Sequence, residues 1–417
     1  MKIFLLLIVS LSLFGRELYV EFAHEDGIYE DVSVICNDKV YALDQGVANI
    51  DEQCNPIIKA PGYKVIEDKL KSERITLEPF DVRGVFVSFY GISSKKIMNS
   101  IYPLIDEKII NTLVIEVKAD DGKIAFDNNI ALAKHIGANS IKTIKEPKKL
   151  IEKLHQKGIY TIAKIAVFKD GHLPVYDNNL AVKKGDGTLY RDRQNVTWSD
   201  PFSDKAKQYN IEVAKLASDV GFDEIMFDYV RFPDRNYLSY AKDSNQSSRV
   251  EEIEKFLKMA KDEFRTRKSF LSAAIFGYTA WESGDTGIGQ QIESVGRYVD
   301  YLNPMLYPSG FSEGIPYFRD PIKYPYEVIF MSLKNSIDRS GLNPRRFRPW
   351  LQAFRDYAFN KQNFGIYQIK RQIQAADDTK TSGWLLWNAR NRYLSLYDYY
   401  DDEHVVVVDK KKQKNSL

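Results

Sequence analysis

The chain contains few of the residues that carry metal or nucleophilic serine chemistry. Its 417 residues include five histidines, scattered along the sequence, and none of them forms an HxH or HExxH spacing typical of metal sites. The sequence also lacks the GxSxG motif of serine hydrolases. We therefore expect neither a metal ion nor another cofactor. The histidines are His24, His135, His155, His172 and His404.

An excess of charge of either sign is absent as well. The 59 lysines and arginines nearly balance the 57 aspartates and glutamates. Proteins that bind nucleic acid or anionic membranes through their overall charge are strongly basic. The composition therefore gives no indication of a nucleic-acid partner.

Only the amino terminus has the features of a targeting segment. Lys2 precedes an apolar run over residues 3–14, which is short for a membrane span, and Gly15 follows at a plausible cleavage point. The run predicts a signal peptide over residues 1–15 and export to the periplasm or beyond. Leu13 is bulky for a position just before a cleavage site, so an uncleaved anchor that tethers the protein to the envelope is the alternative. No cysteine follows the run, which argues against a lipoprotein.

The two cysteines of the chain, Cys36 and Cys54, lie close together after this leader. In an exported protein they are expected to form a disulfide, worth roughly 3 kcal/mol for a loop of about 20 residues. Free buried thiols are the alternative. Both cysteines lie within residues 17–81. In this range, short segments of alternating apolar and polar residues are separated by Asp, Asn, Gly and Pro, which predicts a small β-rich module.

From residue 83 to about residue 400 the pattern changes to alternating strands and helices. Helices are predicted over 145–157, over 249–265, and from an N-cap at Asp200 to Gly221. Eight strands alternating with helices predict a (β/α)8 TIM barrel. A doubly wound sheet is the competitor, and the lack of a glycine-rich phosphate loop disfavours it. The predicted strands span residues 84–90, 112–118, 159–168, 223–230, 270–277, 299–307, 347–354 and 383–389.

One carboxylate, Asp228, stands among apolar residues near the end of the fourth predicted strand. An ionised carboxylate in such a place costs several kcal/mol unless it is paired. A structural pair with Arg231 and a catalytic role are both consistent with it. Strand alternation places other polar or aromatic residues on the same inner face and leaves Tyr229 facing the helices. These inner-face residues are Glu116, Lys118, Lys164, Asn303, Tyr307, Gln352 and either Trp387 or Asn388.

The loops after these strands add carboxylates and aromatic rings, including Trp198 and Trp281. Sugar rings stack on aromatic faces, and their hydroxyl groups need polar partners. Such loops at the carboxyl ends of barrel strands therefore favour a carbohydrate substrate, although packing explains single aromatics equally well.

Several motifs resemble one bacterial family of exported proteins that are described as TIM-barrel glycoside hydrolases and are mostly uncharacterised. The resemblance covers about residues 83–396 and implies that Asp228 is the acidic catalytic residue. Here Glu116 and Ala119 replace acids of the family pattern, so Asp120 and Asp121 remain as acids of that loop. The motifs are GFDEIMFDYVRFP, IEVKADDG, IAVFKD, FGYTAWESGDTGIGQ, VDYLNPMLYPSGF and GWLLWNARNRY.

Glycosidases need two carboxyl groups, one to protonate the leaving oxygen and one to attack the sugar or activate water. We assign Asp228 as the ionised group, held charged by Lys118 or Arg231. Glu282, beside Trp281, is the first candidate for the acid and Asp121 the second; Asp285 ranks third because it could cap the next helix.

The sequence therefore predicts an exported glycoside hydrolase of a cell-envelope or extracellular polysaccharide. The alternative function is a carbohydrate-binding or scaffolding protein on an inactive barrel. The expected substrate contacts are Glu116, Lys118, Lys164, Trp198, Arg231, Trp281, Asn303, Tyr307, Gln352 and Trp387. The basic segment 404–417 is predicted to be a frayed tail, and the oligomeric state is left open.

Overall fold

The computed structural model describes residues 15–24, 27–69, 72–393 and 396. The described residues form two compact units, one made of the chain up to Phe80 with Arg265–Lys268, the other of the remainder. The predicted tail and all of the predicted signal peptide except Gly15 lie outside the described residues. Within the described ranges, no helix is both long and apolar enough to cross a membrane.

The amino-terminal unit is the β-rich module that the sequence predicts. Alternating residues of its first strand, such as Leu18 and Val20, are buried, while Glu17 and Tyr19 face outward. The strands form a three-stranded sheet in the order β4-β1-β7 and a four-stranded antiparallel sheet in the order β3-β2-β5-β6. They are β1 (Gly15–Phe22), β2 (Ser33–Cys36), β3 (Lys39–Tyr41), β4 (Val47–Asp51), β5 (Ile57–Lys59), β6 (Ile66–Glu67) and β7 (Arg74–Leu77).

The predicted disulfide between Cys36 and Cys54 is present in this module. The two Cα atoms are 6.0 Å apart, and both cysteines are buried in the module core. Disulfides persist mainly in oxidising compartments, so this bond is more typical of an exported protein than of a cytosolic one.

The larger unit is the predicted TIM barrel. Eight parallel strands close in the order β8-β9-β10-β12-β14-β15-β16-β17, and β17 pairs with β8. All eight predicted strands are present and none is longer than predicted, although the first begins two residues before its predicted start and the seventh keeps only three of its eight predicted residues. They are β8 (Val82–Val87), β9 (Thr112–Lys118), β10 (Tyr160–Ala166), β12 (Glu224–Asp228), β14 (Phe270–Phe276), β15 (Tyr301–Met305), β16 (Trp350–Gln352) and β17 (Gly383–Trp387); β11 (Lys183–Lys184) and β13 (Leu238–Ser239) pair outside the barrel.

Helices follow the barrel strands and bury their apolar faces against them. The predicted N-cap of α5 is wrong by three residues: Ser203, not Asp200, accepts the backbone N–H of Ala206, while Asp200 binds the backbone N–H groups of Phe202 and Ala241. The helix ends as predicted at Gly221, whose φ of 112° lies in the left-handed region. The helices are α1 (Lys95–Asp106), α2 (Ala131–His135), α3 (Pro147–Gln156), α4 (Leu173–Tyr176), α5 (Asp204–Val220), α6 (Gln246–Phe264), α7 (Ile292–Gly296), α8 (Pro325–Ser340) and α9 (Ile366–Asp378).

Two local irregularities change which side chains reach the barrel interior. The pairing of β9 with β10 shifts register after Glu116, so that Ile165 pairs with Lys118. A shift of this kind breaks the alternation of side chains. On the fourth barrel strand, β12 ends at Asp228, and Tyr229 adopts a positive φ of 49°. The expectations that Lys118 points inward and that Tyr229 faces the helices are therefore wrong.

Candidate active site

Asp228 lies at the carboxyl end of β12 and faces an open cleft. Its side chain is 13 % exposed. One carboxylate oxygen accepts the backbone N–H of Tyr229 at 2.8 Å, and the other is 2.9 Å from the ammonium of Lys164. The cation that pairs with Asp228 is therefore Lys164 from the neighbouring strand β10, rather than Lys118 or Arg231 as the sequence suggested.

Lys164 holds a second carboxylate as well. Its ammonium lies 3.2 Å from Glu116, whose other oxygen accepts the backbone N–H of Phe89 at 2.9 Å. Burial alone would lower the pKa of Lys164, but the charges of Asp228 and Glu116 outweigh that effect and raise it. Lys164 is therefore a permanent cation between two acids.

A different ion pair occupies the opposite end of β12. Glu224, the first residue of the strand, pairs with Arg348, and both side chains are fully buried. Burial is the main reason why the pKa of Glu224 is raised, and Arg348 opposes it. Asn303 is also buried and donates to the backbone oxygen of Arg348. This pair therefore lies inside the barrel, away from the cleft.

Lys118 lies behind the cleft wall, where the register shift places it. Its ammonium binds Asp170 at 2.8 Å and the backbone oxygen of Ala166 at 2.7 Å, and it lies over the ring of Tyr209 on α5. Both charged side chains are fully buried. Burial alone would raise the pKa of Asp170, but the charge of Lys118 and hydrogen bonds from Leu173 and His172 lower it. Lys118 thus anchors the loop after β10 and does not reach the cleft.

A stack of aromatic and cationic groups stands beside Asp228. The guanidinium carbon of Arg231 lies 4.9 Å from the centre of the Trp198 ring and 5.4 Å from that of Tyr229, and these two rings meet edge to face with their centres 5.6 Å apart. Lys169 approaches the ring of Tyr229 at 4.9 Å. The left-handed backbone of Tyr229 turns its ring into this stack. A strained residue of this kind is common at functional sites.

Three adjoining cavities form the cleft at the carboxyl ends of the strands. The central cavity, of about 310 Å³, contains Asp228, Lys164 and Trp387. The wide cavity, of about 1170 Å³, adds Glu116 and Asp120. The side cavity, of about 240 Å³, lies over Arg231. Tyr229 lines all three. Because the cavities share lining residues, we treat them as one aromatic-lined groove.

The structure brings about half of the sequence-predicted site residues to this groove. Trp387 stacks on Phe86 with ring centres 4.0 Å apart, and Trp198 is 3 % exposed beneath Arg231. The predicted residues that line one or more of the cavities are Glu116, Lys164, Trp198, Asp228, Arg231, Tyr307 and Trp387.

The other predicted residues lie elsewhere. Glu282 is exposed and lines none of the three cavities. Trp281 donates its indole N–H to Ser332 of α8. Asp121 pairs with Lys123 outside the cavities. Gln352 exchanges hydrogen bonds with Ser309. Lys118 and Asn303 are buried as described above.

Sequence reasoning did not identify several groove residues. One of them is Lys169, which binds Asp120 and Asp192 at 3.0 Å each. It directly follows the third predicted strand, and this position could have identified it as a groove residue. Tyr357 comes from a long loop after β16, for which the sequence offers no periodic pattern. Among the described residues, no group of three or more His, Cys, Asp and Glu side chains could hold a metal ion.

A parallel eight-stranded barrel with paired carboxylates and aromatic rings at the carboxyl ends of its strands is the arrangement of TIM-barrel enzymes that act on sugars. Residues 84–393 match the model of the family described as "Putative glycosyl hydrolase domain". The chain belongs to this family, and the glycosidase assignment made from the sequence agrees with it.

Several solved structures are similar to this chain, and the first named here shares its barrel fold. The glycoside hydrolase domain of PgaB (BpsB) from Bordetella bronchiseptica is 13 % identical, with a TM-score of 0.55, and the match covers 78 % of this chain and 97 % of that one. A hypothetical protein from Ruminiclostridium thermocellum is 32 % identical over 45 % of this chain and 96 % of its own, with a TM-score of 0.40. The spore cortex-lytic enzyme SleL of Bacillus cereus is 12 % identical over 76 % and 73 %, with a TM-score of 0.47. No curated protein matches the chain.

Proposed function

We propose that the protein is an exported glycoside hydrolase that cleaves a polysaccharide with Asp228 and Glu116. The observation that carries the proposal is the shared contact of both carboxylates with Lys164 on the floor of the groove. An inactive binding barrel would need the aromatic groove but no second carboxylate beside Asp228. The disulfide of the amino-terminal module supports export.

We assign a different role to each of the two carboxylates, one as the nucleophile and the other as the general acid. We assign Asp228 as the attacking group, because it ends β12 and lines the central cavity, with its oxygens fixed by Lys164 and a backbone N–H. Glu116, which contacts the same ammonium and lines the adjoining wide cavity, is then assigned as the acid that protonates the leaving oxygen. Glu116 therefore replaces Glu282 and Asp121 as our candidate for the acid.

The groove supports a polymeric substrate rather than a single sugar. The central cavity is lined by the partly exposed rings of Trp387 and Tyr307, on which sugar rings can stack, and it shares both residues with the wide cavity. A chain of several sugars would extend along both cavities, with the bond to be cleaved over Asp228.

The test is a screen of envelope and exopolysaccharide glycans for the release of reducing ends. Asp228→Asn and Glu116→Gln should each lower the rate by at least about a hundredfold, because each removes one of the two carboxyl groups. The control variant, Glu152→Gln, changes an exposed acid on α3 and should match the wild type. Equal rates for wild type and Asp228→Asn would remove Asp228 from the reaction. Binding without cleavage by the wild type would favour the scaffolding alternative.

A further inference from the structure

The guanidinium of Arg231 borders both the central and the side cavity without a charged partner. It donates one hydrogen bond, to the backbone oxygen of Phe232 at 2.9 Å, and forms no ion pair with any described residue. A guanidinium has five N–H donors. Most of its donor capacity therefore remains for a ligand.

The position of this guanidinium is fixed before any ligand binds. It contacts the rings of both Trp198 and Tyr229, and Trp198 is in turn held by a hydrogen bond of 3.3 Å that its indole N–H donates to Asp192. Burial lowers the pKa of Arg231, so its charge carries a desolvation cost. An anion placed against it would offset that cost.

The other buried cation of the side cavity, Lys169, is already neutralised. It lies 3.0 Å from Asp120 and 3.0 Å from Asp192, and it also binds the side chain of Gln194. A ligand therefore gains little from Lys169. Of these two cations, Arg231 is the one that is available for binding.

The rim of the side cavity carries further positive charge. Arg193 and Arg235 are exposed, line the cavity and form no ion pair with a described residue. Asp234 is the single acid of the rim that faces them, because Asp192 is taken by Lys169. The cavity as a whole thus has an excess of positive charge over a floor of two aromatic rings.

We infer that the side cavity binds an anionic group, a carboxylate or sulfate, on a sugar next to the bond that Asp228 cleaves. The position of that bond rests on the proposed function. An arginine guanidinium binds two oxygens of a carboxylate or of a tetrahedral oxyanion through paired hydrogen bonds. Contacts with the rings of Trp198 and Tyr229 hold this guanidinium in place. The substrate class that follows is an acidic polysaccharide.

Binding measurements on the full chain test this assignment without requiring cleavage. The probes are polygalacturonate with its carboxyl-reduced form and dextran sulfate with dextran, so that each acidic polymer has a neutral partner. The wild type should bind at least one acidic polymer about tenfold or more tightly than its partner. The polymer that shows the preference identifies carboxylate or sulfate as the anion.

Variants then test whether Arg231 causes the preference for the acidic polymer. Arg231→Gln should abolish the preference for the acidic polymer. Arg231→Lys should retain part of it, because lysine keeps the positive charge but cannot form the paired hydrogen bonds of a guanidinium. Arg371→Gln is the control, because Arg371 also stacks on a ring, that of Tyr326, but lies on α9 outside the cavities. If Arg231→Gln does not fold, the surface double variant Arg193→Gln/Arg235→Gln tests the inference in its place. This variant should bind the acidic polymer with a weaker preference, while its Tm stays equal to that of the wild type.

The inference fails if no acidic polymer is preferred by the wild type, or if the preference survives in a folded Arg231→Gln variant. An unchanged preference in the double variant would count against it when Arg231→Gln is unfolded. A preference for acidic polymers without cleavage would leave the inference standing and remove the proposed function. Cleavage of neutral glycans alone, without any preference for acidic polymers, would leave the proposed function standing and overturn the inference.

Discussion

Lys164 is the residue on which the geometry of the site depends, since it holds both acids. Its side chain is 3 % exposed, and Asp228 and Glu116 have no other cation in ion-pair contact among the described residues. A lysine in this position orients the two carboxylates, and its positive charge offsets the free-energy cost of burying them. Its role differs from that of Lys118, which the structure places behind the wall with Asp170.

Replacing this lysine should be costly for folding as well as for activity. Lys164→Met leaves two neighbouring carboxylates without a cation, and we expect a loss of about 3–5 kcal/mol in the free energy of unfolding at neutral pH. The deficit should shrink as the pH falls, because protonation removes the uncompensated charge. Urea titration at several pH values measures it, with exposed Lys153→Met on α3 as the control. A deficit that does not change with pH would contradict this electrostatic role.

Asp170 gives a second pH-dependent prediction. Its folded-state pKa is lowered, so its contribution to stability is present above the pKa of the unfolded chain and is lost as the pH falls through the folded value. Asp170→Asn should therefore cost about 3–5 kcal/mol near pH 7, because it leaves the buried charge of Lys118 without its counter-ion. The difference from the wild type should approach zero in acid, where wild-type Asp170 is itself protonated. Denaturation curves that stay equally far apart in acid would contradict the pairing.

At the scale of secondary-structure elements, the ends of helices and strands depend on single side chains. Ser203 caps α5, whereas the sequence pointed to Asp200. We expect Ser203→Ala to lower the free energy of unfolding by about 1 kcal/mol and Ser203→Asp, which keeps an acceptor, to change it little. Thermal unfolding of the two variants checks this. Equal destabilisation by both would mean that Ser203 acts by packing rather than by capping.

The strands could be predicted from the sequence, and the irregular positions could not. Apolar runs of the right length located all eight barrel strands and placed Asp228 at the end of the fourth. The register shift after Glu116 and the left-handed Tyr229 follow from packing between distant segments, which periodicity does not report. Glu282 illustrates the same limit, because a long loop has no alternation from which to infer where its side chains point.

At the scale of the whole molecule, the chain combines a disulfide-bonded module with a catalytic barrel. The bond between Cys36 and Cys54 spans 18 residues, so reduction should destabilise the module by roughly 3 kcal/mol, mainly through the entropy of the unfolded chain. Unfolding followed with and without reductant measures the effect, and the Cys36→Ala/Cys54→Ala variant should match the reduced wild type. An unchanged transition after reduction would show that the bond carries no stability.

The anomeric configuration of the first product, followed by proton NMR on a glycan that the wild type cleaves, tests the assignment of Asp228 and Glu116 most directly. Because both acids contact Lys164, at 2.9 and 3.2 Å, their nearest oxygens lie no more than roughly 6 Å apart. Retaining enzymes hold their acids about 5–5.5 Å apart, and inverting enzymes about 6.5–9.5 Å apart. The geometry predicts retention of configuration. An inverted first product would mean that these two carboxylates are not the reacting pair.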